Sequence, residues 1–231
     1  MKEQDEILEM LSEINERFKK ISDVLTSYSL LILEDGWFFD YRIPISSHFQ
    51  NIAKYDKVIF NLYMEKHFED NIDKIEELAV KRFPKREKII RKAIKSHKNG
   101  DYEVSIPVLI SQADGIFREM TKKEFYSKRT DVKAENIIDE IKNEKFKEFS
   151  LWILEPLKKT QLISANFKES KDTPDFLHRN PILHGEDSDY ANIRNGAKSL
   201  SLLNYIIKVV YDLYFSTDMT ELKDFVMENS K

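Results

Sequence analysis

The sequence predicts an all-α protein. Three observations lead there. Lys, Glu, Leu and Ile are abundant, while only 5 Gly and 6 Pro interrupt 231 residues, so helix formers greatly outnumber breakers. Apolar residues recur at three- and four-residue steps along most of the chain, the period of one helix face. Alternating β-branched runs of the strand kind are scarce. The length suits one large helical domain, or one domain plus an extension.

The first element covers residues 3–33. Ile7, Leu11, Ile14, Phe18, Ile21, Leu25, Tyr28 and Ile32 alternate steps of 4 and 3, a heptad seam. Two readings stand: a coiled-coil contact between copies, or a long helix lying along its own domain, which the bulk of Phe18 and Tyr28 favours. Gly36 is placed to end this helix in a left-handed conformation. The aromatic connector that follows, residues 37–44, reads as a packed loop. Ser46 or Ser47 can cap the next helix, with Ile52, Tyr55, Ile59 and Leu62 on its inner face. A further helix, from about residue 70 to 83, presents Ile72, Ile75, Leu78 and Ala79 to the core, and Pro84 breaks it.

Residues 81–98 form a basic run, with Lys81, Arg82, Lys85, Arg86, Lys88, Arg91, Lys92, Lys95 and Lys98 against the single acid Glu87. Ile89, Ile90, Ala93 and Ile94 form its buried stripe, which spreads the cations over the exposed faces. Such a run is either a solvated surface or a footprint for a phosphate backbone. On the second reading Lys85, Arg86, Arg91 and Lys92 contact RNA.

Asn99 and Gly100 end that helix, and Asp101 is placed to cap the next. Its core face is Ile106, Leu109, Ile110, Ala113, Phe117 and Met120, and Pro107 is tolerated if the helix begins near Ser105. Gln112 and Asp114 are polar interruptions that face either a site or, more simply, solvent. A charged helical stretch over residues 131–157 carries Ile137, Ile138, Ile141, Phe146, Phe149, Trp152 and Ile153, and residues 165–176 read as an exposed loop. The last long helix covers about residues 191–215. Its two apolar seams, Leu200, Leu203, Ile207, Val210, Tyr214 and Leu202, Ile206, Val209, Leu213, make it central to the core or shared with a second subunit.

Composition narrows the chemistry. The absence of Cys excludes disulfides, thiolate zinc sites and cysteine nucleophiles, and fits a reducing cytoplasm. The charged opening residues lack the apolar core of a signal peptide, and no apolar run approaches the ~20 residues of a membrane span. A cytoplasmic protein without membrane contact is the expectation. A net charge of −4 argues against wholesale binding to nucleic acid, leaving local basic stretches.

The chemistry concentrates in residues 177–185, LHRNPILHG. Pro181 suits the first position of a short helical turn capped by Asn180, with Gly185 just past its end. One turn rises about 5 Å, so Arg179 and His184 are expected to reach one phosphate. Arginine supplies a fork that matches phosphate oxygens, and histidine takes or returns a proton near neutral pH. That pair suffices for cleavage of RNA without metal or cofactor, the ribose 2′-oxygen being the internal nucleophile. A cap-only role, with pairing to Glu186 and Asp187, is the plainer alternative. A metal site from His178, His184, Asp187 and Asp189 matches no familiar ligand spacing.

Arg179-Asn180, three residues and His184 resemble the Arg-polar-x-x-x-His signature of the HEPN superfamily of helical proteins. The following long apolar helix and the upstream helix of residues 101–119 strengthen the resemblance, which covers about residues 81–215. Two other spacings of Arg and His, Arg42 to His48 and Arg91 to His97, lack the asparagine. The resemblance implies an antiparallel helical bundle at residues 81–231, with residues 1–80 as an N-terminal helical extension, and a homodimer in which two copies of the motif line one cleft. With it come RNA cleavage as a toxin or abortive-infection effector in phage defence, and an antitoxin or defence-system protein as partner. It also implies roles: Arg179 binds and polarises the phosphate, His184 transfers protons and Asn180 orients one of them. His178, next to Arg179 in the string, is expected among the RNA contacts. Some members of the superfamily are inactive and only bind RNA or protein.

Overall fold

Three glycines set three helix ends. Gly36, Gly100 and Gly185 have φ of 81°, 82° and 71°, a region open to glycine at little steric cost. At each, the glycine N–H and the next N–H fold back onto the final turn: Gly36 to Leu33 and Trp37 to Ile32, Gly100 to His97 and Asp101 to Ser96, Gly185 to Ile182 and Glu186 to Pro181. This paired arrangement satisfies carbonyls that a helix end leaves bare.

The computed structural model describes residues 26–40, 42–43, 56–127, 129–141, 153–158, 177–215 and 220, and the protein is all-α. Among these residues there is no strand, only an isolated bridge between Glu124 and Lys133. The helices are α1 (residues 26–34), α2 (Lys57–Asp70), α3 (Ile72–Arg82), α4 (Glu87–Lys98), α5 (Tyr102–Thr121), α6 (Ile137–Glu140), α7 (residues 153–158) and α8 (Arg179–Leu183). The last, α9, runs as Ile193–Asn204, a π-helical turn Tyr205–Val210, and Tyr211–Phe215.

Helix α9 is the centre of the core, one of the two places its apolar seams allow. Residues 196–210 are buried on every side, and α2, α3 and α5 pack around it. Leu200, Leu203, Ile206 and Val210 are wholly enclosed, each worth about 1.5–3 kcal/mol of burial. The helix packs closely where it lacks a side chain: a Cβ on Gly196 would lie 2.8 Å from the rings of His97 and Tyr102.

The aromatic connector is packed as expected. Trp37, Phe38 and Phe39 are buried. The Trp37 indole N–H donates to Asn61 at 2.6 Å, and its ring stacks on Phe68 with centroids 6.0 Å apart. Tyr28 and Ile32 are buried in the chain's own core; the seam positions from Ile7 to Leu25 lie outside the described residues. Helix α3 runs through residue 80, and Trp37, Phe60 and Phe68 share the core with α9. The described part of the first 80 residues is therefore built into the same core.

Several elements differ from expectation. Helix α2 is capped by Asp56, whose carboxylate accepts from the Val58 and Ile59 N–H groups at 2.9 and 3.1 Å. Its inner face is Phe60, Met64 and Phe68, whereas Ile59 and Leu62 are 61% and 56% exposed. Apolar residues lie on both sides of this helix, and the larger aromatic side takes the core. Ser46, Ser47, Ile52 and Tyr55 lie outside the described residues, as do Phe146, Phe149, Trp152 and the 165–176 loop. On α4, Ile89 is exposed while Ile90, Ala93 and Ile94 are buried. Ile137, Ile138, Ile141 and Ile153 are buried.

Helix α5 starts at Tyr102, earlier than the proline suggested, and Asp101 makes no side-chain cap. Pro107 therefore lies inside the helix and has no N–H to give the Glu103 carbonyl. The Tyr190 hydroxyl takes that place, donating to the Glu103 carbonyl at 2.8 Å.

Two polar groupings tie distant segments to α9. Arg82 donates to the Ile207 carbonyl inside the π-turn and to Asp212, each at 2.6 Å, with its guanidinium 4.1 Å from the Tyr211 ring centroid. The second grouping is centred on Asp40, which is wholly buried. It accepts from the backbone N–H and Nε of Arg42 at 3.0 and 3.1 Å and from the Asn204 amide at 3.0 Å. His67 Nε2 lies 3.4 Å from the same carboxylate, and Arg42 also donates to the Asn204 oxygen at 3.0 Å. Burial alone would push the Asp40 carboxyl up, but the hydrogen bonds of His67 and Arg42 hold it well below the usual carboxylate range.

Candidate functional site

The short helix α8 is docked at both ends by apolar side chains. Leu177 and Ile182 are 4% and 6% exposed, and α8 packs on α5. The helix begins two residues earlier than the sequence suggested: its N-cap is His178, with no side-chain cap bond, and Pro181 is the third helical residue. A proline there costs no helical hydrogen bond, because the first four N–H groups of a helix have no partner within it. Asn180 is freed from capping, and its side-chain oxygen accepts from Arg179 Nη1 at 2.9 Å.

Arg179 turns towards α5 and the loop that follows it. Its guanidinium lies 4.8 Å from the centroid of the Tyr126 ring. Asp114, on α5, is nearby: burial pushes its carboxyl up, and the charges of Arg179 and Arg118 and the backbone N–H of Phe125 pull it back only in part. Burial, with a contribution from Asp114, pushes the Tyr126 phenol well above its ordinary range, with Arg179 opposing. The Tyr126 hydroxyl and Arg179 Nε are buried polar atoms with no hydrogen-bond partner among the described residues. This guanidinium therefore sits among an amide, a phenol and a carboxyl while retaining an unused donor.

His184 is placed differently. It is the C-cap of α8, its N–H donates to the Asn180 carbonyl at 2.9 Å, and its side chain is exposed. Five helical residues turn through about 140°, so Arg179 leaves the turn inward over Tyr126 and His184 leaves it towards solvent. Asp187 closes the following turn by accepting from the Asp189 N–H at 2.8 Å, and the Tyr190 hydroxyl fastens the loop to α5. The structure thus joins Arg179 with Asn180 and sets His184 at the open end of the same turn.

The other expected contacts divide. His178, the N-cap of α8, is buried at 6% exposure, so a direct contact with RNA would need this segment to open. Arg86 donates to Glu119 at 3.1 Å and to Gln112 at 2.8 Å, and its guanidinium lies in the space left by the missing side chain of Gly115. Arg91 pairs with Glu76, Glu77 and Glu87. Lys85 and Lys92 are exposed. Among the described residues no His, Asp or Glu side chains gather as metal ligands, and no helix is long and apolar enough to cross a membrane.

Of the two destinations open to Gln112 and Asp114, a site or solvent, the first holds: they face Arg86 and Arg179. Polar residues interrupting an apolar helix were the available signal. Tyr126 gave none, because it reaches the site only through the loop that leaves α5. Compared with family models, curated proteins and solved structures, the chain matches none of them.

Proposed function

We propose that the protein is a metal-independent endoribonuclease of HEPN type, acting as a toxin or antiphage effector, with its site completed between two copies of the chain. The observation that carries this reading is the half-buried guanidinium of Arg179, joined to Asn180 and with its buried Nε unpartnered among the described residues, one helical turn from an exposed His184. In the reaction the ribose 2′-oxygen attacks the adjacent phosphorus, and the bond to the 5′-oxygen breaks. A 2′,3′-cyclic phosphate and a 5′-hydroxyl result. One imidazole accepts the 2′-hydroxyl proton and another returns a proton to the 5′-oxygen, while arginine balances charge on the phosphoryl oxygens. Two His184 side chains are needed for both transfers at once, which two chains supply. A cytoplasmic setting and an antitoxin or defence-system partner belong to the same proposal.

The test is incubation of mixed transfer and messenger RNA with the protein and a chelator. Arg179→Ala and His184→Ala are each expected to lower cleavage by ~10²-fold or more, and sedimentation is expected to show a dimer. Unchanged cleavage in both variants overturns the assignment. A second reading, a non-catalytic module that binds RNA or a protein, is favoured by the inward turn of Arg179 away from His184. It expects no cleavage by the native protein and retained binding.

A further inference from the structure

The cations of the basic run are sorted by helix face. The inner side of α4 is Ile90, Ala93, Ile94 and His97. On the flank towards α3, Arg91 meets Glu76 and Glu77, and Lys98 meets Asp73 and Glu76. Arg82 and Arg86 are also held, by Asp212 and by Glu119. What remains on α4 is Lys88, Lys92 and Lys95, all exposed; Lys81 lies in the last turn of α3. At 100° per residue these three fall within about 60° of one another, diametrically opposite the buried side. Lys85, in the 3₁₀ turn Pro84–Arg86, extends the row.

None of the four lysines has a carboxylate partner among the described residues. The neighbouring helix offers none nearby: α5 has no acid between Glu103 and Asp114, and Asp114 is drawn towards Arg179 and the Phe125 N–H. Arginines serve the interior and flank, whereas flexible lysines stand in a line with their charge uncompensated, on a chain of net charge −4.

We propose that this row, Lys85, Lys88, Lys92 and Lys95, binds the sugar-phosphate backbone of RNA, a proposal that rests on RNA being the ligand of the site at Arg179. Lysine acts as a mobile point charge that engages phosphates without reading bases. From Lys88 to Lys95 the row rises about 10 Å, the reach of about three phosphates along one strand. The shape matches a linear polyanion. A membrane surface would call for large apolar side chains to insert beside the lysines, and on α4 only Ile89 is exposed, to one side of the row.

The experiment measures binding of a fluorescently labelled single-stranded RNA by anisotropy over a series of salt concentrations. The full chain carries His184→Ala so that the probe survives. Replacing Lys85, Lys88, Lys92 and Lys95 by Gln is expected to weaken binding at least tenfold at low salt. The slope of log K against log salt is expected to become shallower by about 0.7 per lysine lost. Circular dichroism melts of the same variant check that the exposed substitutions leave the fold intact. An unchanged affinity and slope overturn the row as an RNA contact. So does tighter binding of vesicles rich in phosphatidylserine, or of a polyglutamate peptide, than of RNA. The two proposals fail separately: a native protein that binds through the row but never cuts RNA loses only the nuclease, and one that cuts RNA with the row neutral and the slope unchanged loses only the row.

Discussion

Two arginine-centred clusters in this molecule use nearly the same parts and arrive at different ends. Around Asp40, a guanidinium, a carboxylate, an amide and an imidazole are interlocked by Arg42, Asn204 and His67. Around Arg179, a guanidinium, an amide, a phenol and a carboxyl assemble from α5, the loop after it and α8, but Arg179 Nε and the Tyr126 hydroxyl have no partners among the described residues. The first cluster fastens the aromatic connector to the central helix. A closed network holds structure, whereas a network with buried donors to spare gains most when an acceptor is brought to them.

The largest test of that contrast is Asp40→Ala. It strands Arg42, and with it the amide and imidazole, without the acceptor they share, and is expected to cost about 3–5 kcal/mol in urea unfolding. A loss under 1 kcal/mol would make the two clusters alike. pH gives the next effect. Burial brings the His97 imidazole down to about 4 from 6.5, so the fold prefers it neutral. Its contribution is whole above pH 6.5 and is lost as pH falls towards 4, up to about 3 kcal/mol. Asp40, whose folded pKa is depressed, contributes above the unfolded carboxylate range and loses that contribution only further down in acid. His97→Gln is expected to flatten the pH 4–6.5 slope, and Asp40→Ala to leave it in place.

Smaller effects probe the second cluster. Arg179→Ala removes a guanidinium that lies over the Tyr126 ring and is expected to cost about 0.5–2 kcal/mol of stability, well below Asp40→Ala, alongside the loss of ~10²-fold or more in the proposed cleavage. Tyr190→Phe, which frees the Glu103 carbonyl, is expected to cost about 1 kcal/mol and to raise amide exchange over residues 184–192. In a Pro107→Ala background the helix can supply that carbonyl itself, so the same change should cost less. Tyr126→Phe deletes a buried hydroxyl that bonds to nothing described, and calorimetry is expected to show no loss, or a gain of up to about 1 kcal/mol. A clear destabilisation there would mean that the hydroxyl is satisfied after all.

What could be read beforehand follows from the range of the forces involved. The glycine stops at Gly36 and Gly100, the buried connector and the twice-apolar α9 were legible, because each depends on neighbours within a few residues. The inner face of α2 was misjudged because Ile59 and Phe60 are adjacent, and only tertiary packing chooses between them. The start of α5 was misplaced because a proline inside a helix becomes tolerable once a distant tyrosine serves its vacant carbonyl. In the candidate site, Arg179, Asn180 and His184 were visible as a local string. Tyr126 and Asp114 were not assigned to it, since their approach depends on how α5 and α8 dock.

Pro107 shows how a flaw can be turned into a joint. By withholding one hydrogen from its own helix it leaves an oxygen for Tyr190, and so stitches the strand of chain leading out of His184 to a helix far back in the sequence. Repairing that helix by ordinary rules of helix design would undo the stitch. The mutation that makes α5 more regular should make the segment beside His184 less so.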